Sequence, residues 1–212
     1  STVTTIPRGW DASDIPDLTG KNFVITGGTS GIGKKAALEL ARAGAHVTIT
    51  ARNAAKGAAT VDEIASDRVE YKLLDLADLS SVKNFAKEYK SEIDVLILNA
   101  GVMATPFSLT KDKFEMQFGT NHLGHFALTG LLQKQIKHRV VSVSSQAHRM
   151  SRIGNYTIDD LRNKAKGIGA YNPWSAYAFS KLANLLFTHE LERRQMRNNW
   201  NIEAVAAHPG YA

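Results

Sequence analysis

The stretch Thr26-Gly27-Gly28-Thr29-Ser30-Gly31-Ile32-Gly33 decides how the rest of the chain reads. Just upstream, the β-branched run NFVIT at residues 22–26 predicts a buried strand, and downstream a helix-period segment covers residues 32–43. Glycines between a strand and a helix let the backbone turn tightly and approach a pyrophosphate, whose charge favours the free N–H groups at the helix start. The spacing from Gly27 is G-x-x-x-G-x-G, not the G-x-G-x-x-G of the long-chain dinucleotide fingerprint. Gly28 through Lys34 also matches the opening of an NTPase P-loop, but Lys35 stands where that loop needs Ser or Thr for Mg2+. Taken alone, the loop could serve only to pack helix on strand. The residues farther along the chain argue for a nucleotide.

Outward from the loop, short apolar runs alternate with longer helical segments. Further strands are predicted at residues 46–50, 69–74, 94–98, 139–144 and 202–207, and helices at 54–65, 79–89, 111–136 and 175–196. Near-continuous apolar strands imply a sheet covered on both faces. Strand–helix alternation with right-handed crossovers then gives an α/β fold, a doubly wound parallel sheet of the three-layer Rossmann type. We expect one domain over residues 1–212, with 1–17 as an N-terminal extension. In such sheets ligands bind outside the carboxyl ends of the strands. The glycine loop, Ala51-Arg52-Asn53, Asp75-Leu76, Asn99-Ala100-Gly101, Ser144-Ser145 and His208-Pro209-Gly210 all fall there, on one rim.

Composition narrows the function classes. With 212 residues, 43% hydrophobic, 16 Gly and 5 Pro, the chain is ordinary globular protein, which excludes collagen-like and disordered classes. It has no cysteine, so disulfides, thiol nucleophiles and thiolate metal sites are excluded. No apolar run nears the ~18 residues of a membrane span, and STVTTIPRGW lacks the cationic-then-apolar pattern of a signal sequence. A cytoplasmic protein is expected. The net charge of +6 comes without a long basic stripe interleaved with aromatics, so no nucleic acid partner is expected. Arg193, Arg194 and Arg197 suit the negative end of the helix they close. His122 and His125 have three-residue spacing and no carboxylate beside them, so no metal is expected either.

Two features give the rim its chemistry. The second strand ends in Ala51 and Arg52, with no carboxylate to read a free ribose 2′-hydroxyl. A guanidinium there suits a 2′-phosphate, and a contact of ~1.5–3 kcal/mol favours NADP(H) over NAD(H) roughly ten- to a hundredfold. Tyr177 and Lys181 lie one turn apart on the same helical face. A cation held about 4 Å from a phenol, at an effective dielectric near 20, is worth ~4 kcal/mol and makes a phenolate accessible.

Along nearly all its length from about Leu18, the chain resembles the short-chain dehydrogenase/reductases. The resemblance rests on TGGTSGIG, Asp75, Asn99-Ala100-Gly101, Asn121, Ser145, Tyr177 with Lys181, and Pro209-Gly210, all in order at the strand ends. TNHLGHFALT, VVSVSSQAH and the long stretch before YAFSK look like the retinol dehydrogenase-like branch, and WDASDIPDLTGK is similar to its bacterial members. The resemblance implies an oxidoreductase that interconverts a carbonyl and an alcohol by hydride transfer. It implies Tyr177 as general acid in reduction and base in oxidation. Lys181 would assist it and bond the nicotinamide ribose. Ser145 would orient the carbonyl oxygen, and Asn121 would hold a water relaying protons to Lys181. Ser145 is taken over Ser144 because the family's serine is the second of such a pair. The loop residues Gly27, Thr29, Ser30, Gly31, Ile32 and Gly33 would cradle the pyrophosphate. Asp75 and Leu76 would meet the adenine, Asn99, Ala100 and Gly101 its ribose, and Pro209 and Gly210 the nicotinamide. A small, lipophilic carbonyl or alcohol substrate is implied, and a homo-oligomer is compatible with the family. A non-catalytic NAD(P)-sensing protein on the same fold is the alternative. Two departures stand out. Between Ser145 and Tyr177 lie 31 residues, so 146–174 reads as an insertion near the active-site mouth, with Tyr156, Tyr171 and Trp174 as lining candidates. The chain also ends at Ala212, where family members continue into their substrate-binding part.

Overall fold

Residues 7–151 and 171–210 are described by the structure, a computed structural model. Strand β1 (Asn22–Ile25) shows why the strands carry no polar alternation. Successive side chains point to opposite faces. Phe23 and Ile25 pack with Ala37 and Ala41 of helix α1 (Gly31–Arg42). Val24 packs on the other face with Val82 and Phe85 of α3 (Leu79–Glu88). Both faces are covered, so apolar residues follow one another without alternation. The other strands are β2 (His46–Ala51), β3 (Val69–Leu73), β4 (Ile93–Leu98), β5 (Ile136–Val143) and β6 (Glu203–Ala207). Helix α2 (Ala54–Ile64) joins α1 on one face.

All pairings are parallel, in the order β3-β2-β1-β4-β5-β6. This is the expected doubly wound sheet. The order reverses between β1 and β4, which pair through Phe23 and Val95, and the glycine loop leaves β1 at that switch point. No helix among the described residues is long and apolar enough to cross a membrane.

The expected helix over 111–136 needs correction at both ends. Residues 108–116 form a turn closed by Thr110 N–H to Phe114 O and Met116 N–H to Ser108 O, with Lys113 at φ +67°. The helix begins only with α4 (Met116–Phe118), runs through a π turn (Gly119–Leu123) and continues as α5 (Gly124–Leu132). At the far end β5 starts at Ile136, three residues before the expected 139, because Ile136 pairs with Ile93. Helix α6 (Pro173–Asn198) starts slightly before the expected 175, with Asn172 accepting from Ser175 N–H and Pro173 in the first turn. The last residues of the expected 146–174 insertion thus open this helix. Tyr156 lies outside the described residues.

A buried imidazole ties the π turn to the sheet. The carbonyl of Asn121 can only accept, so His125 Nδ1 donates to it at 2.9 Å. His125 Nε2 then accepts from the Thr26 hydroxyl at 2.7 Å. That hydroxyl in turn accepts from the Asn99 and Ala100 N–H groups at 2.9 and 3.0 Å. Burial lowers the His125 pKa to about 3, outweighing the opposing pull of the Asn121 carbonyl, and the nearby Lys181 charge lowers it further. Burial likewise lowers His122 to about 4. Both values lie below the unfolded ~6.5, so the unfolded chain takes up protons first as pH falls, and stability is lost below that pH. Each histidine contributes a slope of up to about 1.4 kcal/mol per pH unit between roughly pH 6 and 4. Replacing His125→Phe strands a hydroxyl and a carbonyl at a cost of about 2–4 kcal/mol at pH 7. Its stability also falls with acid by one proton less than wild type. Urea unfolding at pH 7 and pH 5 measures both effects, and an unchanged acid slope would refute the neutral buried ring.

Candidate active site

The glycine loop is shaped by close backbone approach. Gly27 has φ +67°, and a Cβ there would stand 2.8 Å from the Ala100 Cα. A Cβ on Gly33 would meet Asn99 Nδ2 at 2.5 Å and the Gly27 carbonyl at 2.6 Å. Larger residues would push β1 and β4 apart at the switch point. Ser30 precedes α1 in extended backbone and makes no side-chain cap bond. The first-turn N–H groups are therefore available to an anion, with the helix dipole behind them.

A cleft of about 280 Å³ opens over this helix start. Of the expected loop residues, Gly27, Thr29, Ser30, Ile32 and Gly33 line it, and Gly31 does not. Arg52, Asp75 and Leu76 line one end, and Asn99, Ala100 and Gly101 the other. Pro209 and Gly210 stand exposed beyond β6, outside the residues that line the cleft. Asn99 lines the cleft, and its side chain has a further task. Its Nδ2 donates to the carbonyls of Thr26 at 2.9 Å and Gly27 at 3.2 Å, so the side chain clamps the loop. One Asp75 oxygen accepts from Ala77 N–H at 2.9 Å, which holds the turn after β3.

Sequence reasoning missed several contributors. Lys56 lines the cleft beside Arg52, placed one helical turn on because Asn53 caps α2 by accepting from Lys56 N–H at 3.0 Å. Neither cation pairs with a carboxylate among the described residues. Thr26 and His125 also went unassigned, because their link spans 99 positions and leaves no local pattern.

Beyond Gly101 the rim turns to ionisable groups. Lys181 is 4% exposed, and burial lowers its pKa to about 8. Its Nζ donates to the Val143 carbonyl at 2.9 Å and stands 5.6 Å from the centroid of the Tyr177 ring. Asn121 Oδ1 accepts from Val102 N–H at 2.8 Å, while Nδ2 donates to Val102 O and to Ser180 Oγ, both at 2.9 Å. The side chain is thus pinned between the loop after β4 and α6. A Cβ on Gly101 would lie 3.2 Å from Asn121 Oδ1 and 3.6 Å from Lys181 Nζ, so Gly101 is where cleft and ionisable groups meet. The structure separates the two serines that spacing could not. Ser144 is buried and donates to the Lys181 carbonyl at 2.9 Å, whereas Ser145 is partly exposed and its Oγ, among the described residues, accepts from Ala147 N–H at 3.2 Å. His125 spends both ring nitrogens on Thr26 and Asn121, and His122 Nδ1 meets Asn184 Oδ1 at 3.3 Å.

The model of the short chain dehydrogenase family matches residues 21–157. Retinol dehydrogenase 12 of Mus musculus is 45% identical over 204 residues, covering 91% of this chain and 62% of its own length. The chain spans about three-fifths of the length of the curated relatives it matches. A crystal structure of an uncharacterized protein from Mycobacterium Paratuberculosis superposes with TM-score 0.88 at 51% identity, covering 96% of this chain and 73% of that one. The Pseudomonas aeruginosa RhlG/NADP active-site complex superposes with TM-score 0.66 at 25% identity, covering 90% and 71%. The family match over most of the chain, together with this likeness, shows that the chain belongs to the short-chain dehydrogenase/reductase family and is retinol dehydrogenase-like within it.

Proposed function

We propose that the protein is an NADP(H)-dependent oxidoreductase that interconverts a carbonyl and an alcohol, with Tyr177 as the general acid of reduction and the base of oxidation. The observation that supports this reading is Lys181 Nζ, which lies 3.6 Å from where a Cβ on Gly101 would stand, at the end of the cleft, and 5.6 Å from the Tyr177 ring centroid. The residues present fit a dinucleotide. A glycine cradle that a Cβ would fill and an uncapped helix start suit its pyrophosphate, and Arg52 with Lys56 suits a 2′-phosphate. When bound, the nicotinamide supplies or accepts the hydride.

The chain's own groups handle the oxygen. Ser145 Oγ, partly exposed and holding one weak contact among the described residues, donates to the carbonyl oxygen and steadies its growing negative charge. Tyr177 passes its phenolic proton to that oxygen as the carbon is reduced. Lys181 stands behind the ring with its ammonium held on Val143 O, and favours the phenolate left behind. Asn121 fixes the loop at Val102 so that Gly101 stays open beside Lys181. The retinol dehydrogenases among the relatives and the exposed apolar side chains around the rim, Met103, Phe107, Met150 and Trp174, support a lipophilic substrate.

The roles of Tyr177, Arg52 and Lys181 are each open to measurement. Tyr177→Phe lowers NADPH-linked reduction of retinal or decanal by roughly a hundredfold or more, the usual weight of a positioned acid. Equal rates in the two proteins would sink the catalytic assignment and favour a dinucleotide sensor. Arg52→Ala weakens NADPH binding roughly ten- to a hundredfold and leaves NADH nearly unchanged, with Lys56→Ala acting in the same direction. Fluorescence titration of both cofactors reads this, and a wild type that binds them equally would refute the 2′-phosphate site. Lys181 keeps its charge below pH about 8 and loses it above. Reduction, followed as kcat/KM, therefore falls about tenfold per pH unit on the alkaline side of that value.

A further inference from the structure

A buried polar clasp lies apart from the cofactor cleft, and none of its three side chains lines that cleft. Glu115 is 6% exposed and Gln117 fully buried. The Glu115 carboxylate accepts from Gln117 N–H at 3.0 Å and Phe118 N–H at 2.7 Å, which caps α4, and from the Tyr171 hydroxyl at 2.7 Å. Gln117 Oε1 accepts from Ala104 N–H at 2.8 Å, and its Nε2 donates to the Tyr171 oxygen at 2.8 Å and the Pro173 carbonyl at 2.9 Å. Three segments therefore meet on one phenol: the loop after β4, the start of α4, and the residues that open α6. Burial, with Glu115 beside it, raises the Tyr171 pKa to about 12, so the hydroxyl keeps the proton it donates.

Exposed aromatic side chains stand next to the clasp on two of these segments. The Phe107 ring leans on Tyr171 at 5.4 Å between centroids. Trp174 follows Pro173 directly and meets Tyr177 edge-on at 6.3 Å. Phe107 is 42% and Trp174 51% exposed, so each has a face free for a ligand. Glu115 has no cation beside it among the described residues, and such a buried carboxylate persists only when its hydrogen bonds are made, which keeps the junction in one arrangement.

We propose that Tyr171 is a positioning residue: through Glu115 and Gln117 it sets where Phe107 stands and where Trp174 meets Tyr177, and so how tightly the apolar part of the carbonyl substrate is held. This rests on the oxidoreductase reading above. Tyr171→Phe keeps the ring on Phe107 and removes only the hydroxyl. In the full-length protein with saturating NADPH, KM rises roughly five- to tenfold for decanal and less than twofold for propanal, and kcat moves less than KM. Glu115→Gln shifts the decanal KM the same way, and the double variant goes little further, because both act through one junction. Calorimetry of decanol on the NADP complex, run in wild-type and Tyr177→Phe backgrounds, shows the same five- to tenfold weakening in either. That arm judges the clasp even where Tyr177→Phe keeps full turnover and the catalytic reading fails. An unchanged decanal KM and decanol affinity overturn the proposal. Equal losses for decanal and propanal, with a lower Tm, overturn it too, since they mark a merely structural phenol.

Discussion

The hydroxyl of Thr26 holds together the part of the molecule on which everything else is aligned. It sits at the end of β1, accepts from two backbone N–H groups just past β4, and donates to His125. Parallel strands at a switch point diverge, and their ends leave backbone groups without ladder partners. Here one small side chain satisfies them. Asn99 returns the tie by donating to the carbonyls of Thr26 and Gly27. The glycine loop, the Asn99-Ala100-Gly101 turn and the π turn are thereby one rigid assembly. The cofactor cleft lies on one side of it and the rim of Tyr177 and Lys181 on the other.

The inner face of α6 serves the same end. Ser180, Lys181, Asn184 and Thr188 are all buried, an unusual run of polar side chains against a sheet. Each has a partner: Ser180 takes the Asn121 amide, Lys181 and Asn184 converge on the Val143 carbonyl, and Thr188 bonds back along the helix. An ammonium taken out of water tends to lose its proton. Lys181 reaches that condition while the polar face around it keeps the helix in register with β5. The π turn adds to this by rotating Asn121 into line with Val102 and Ser180, a use to which such turns are often put at functional sites.

Much of this was legible in the chain itself. Strand ends place functional residues on one rim, so the residues just after each run of Val, Ile and Leu marked most of the cleft lining in advance. Arg52 was found because the end of the second strand is a fixed address. Lys56 was not, since a lysine on an exposed helix carries no signal until a cap sets its phase. The helix start at 111 was misplaced because apolar spacing continues through residues 108–116, where a cross-turn hydrogen bond wins over helical periodicity. Ser144 and Ser145 are chemically identical in sequence. Only the packing of β5 against α6 turns one inward and leaves the other at the rim.

The sequence by itself determined the fold class, the parallel sheet covered on both faces, and the types of residue that stand at the rim. These come from local periodicity and from glycine, which acts through its own backbone. Tertiary structure alone decided which polar groups are partnered and which are free. It coupled His125 to Thr26, Tyr171 to Glu115 and Gln117, and Lys181 to Val143. Those pairings join residues distant in the chain, and their strength comes from removal of water, which no stretch of sequence achieves before the layers close.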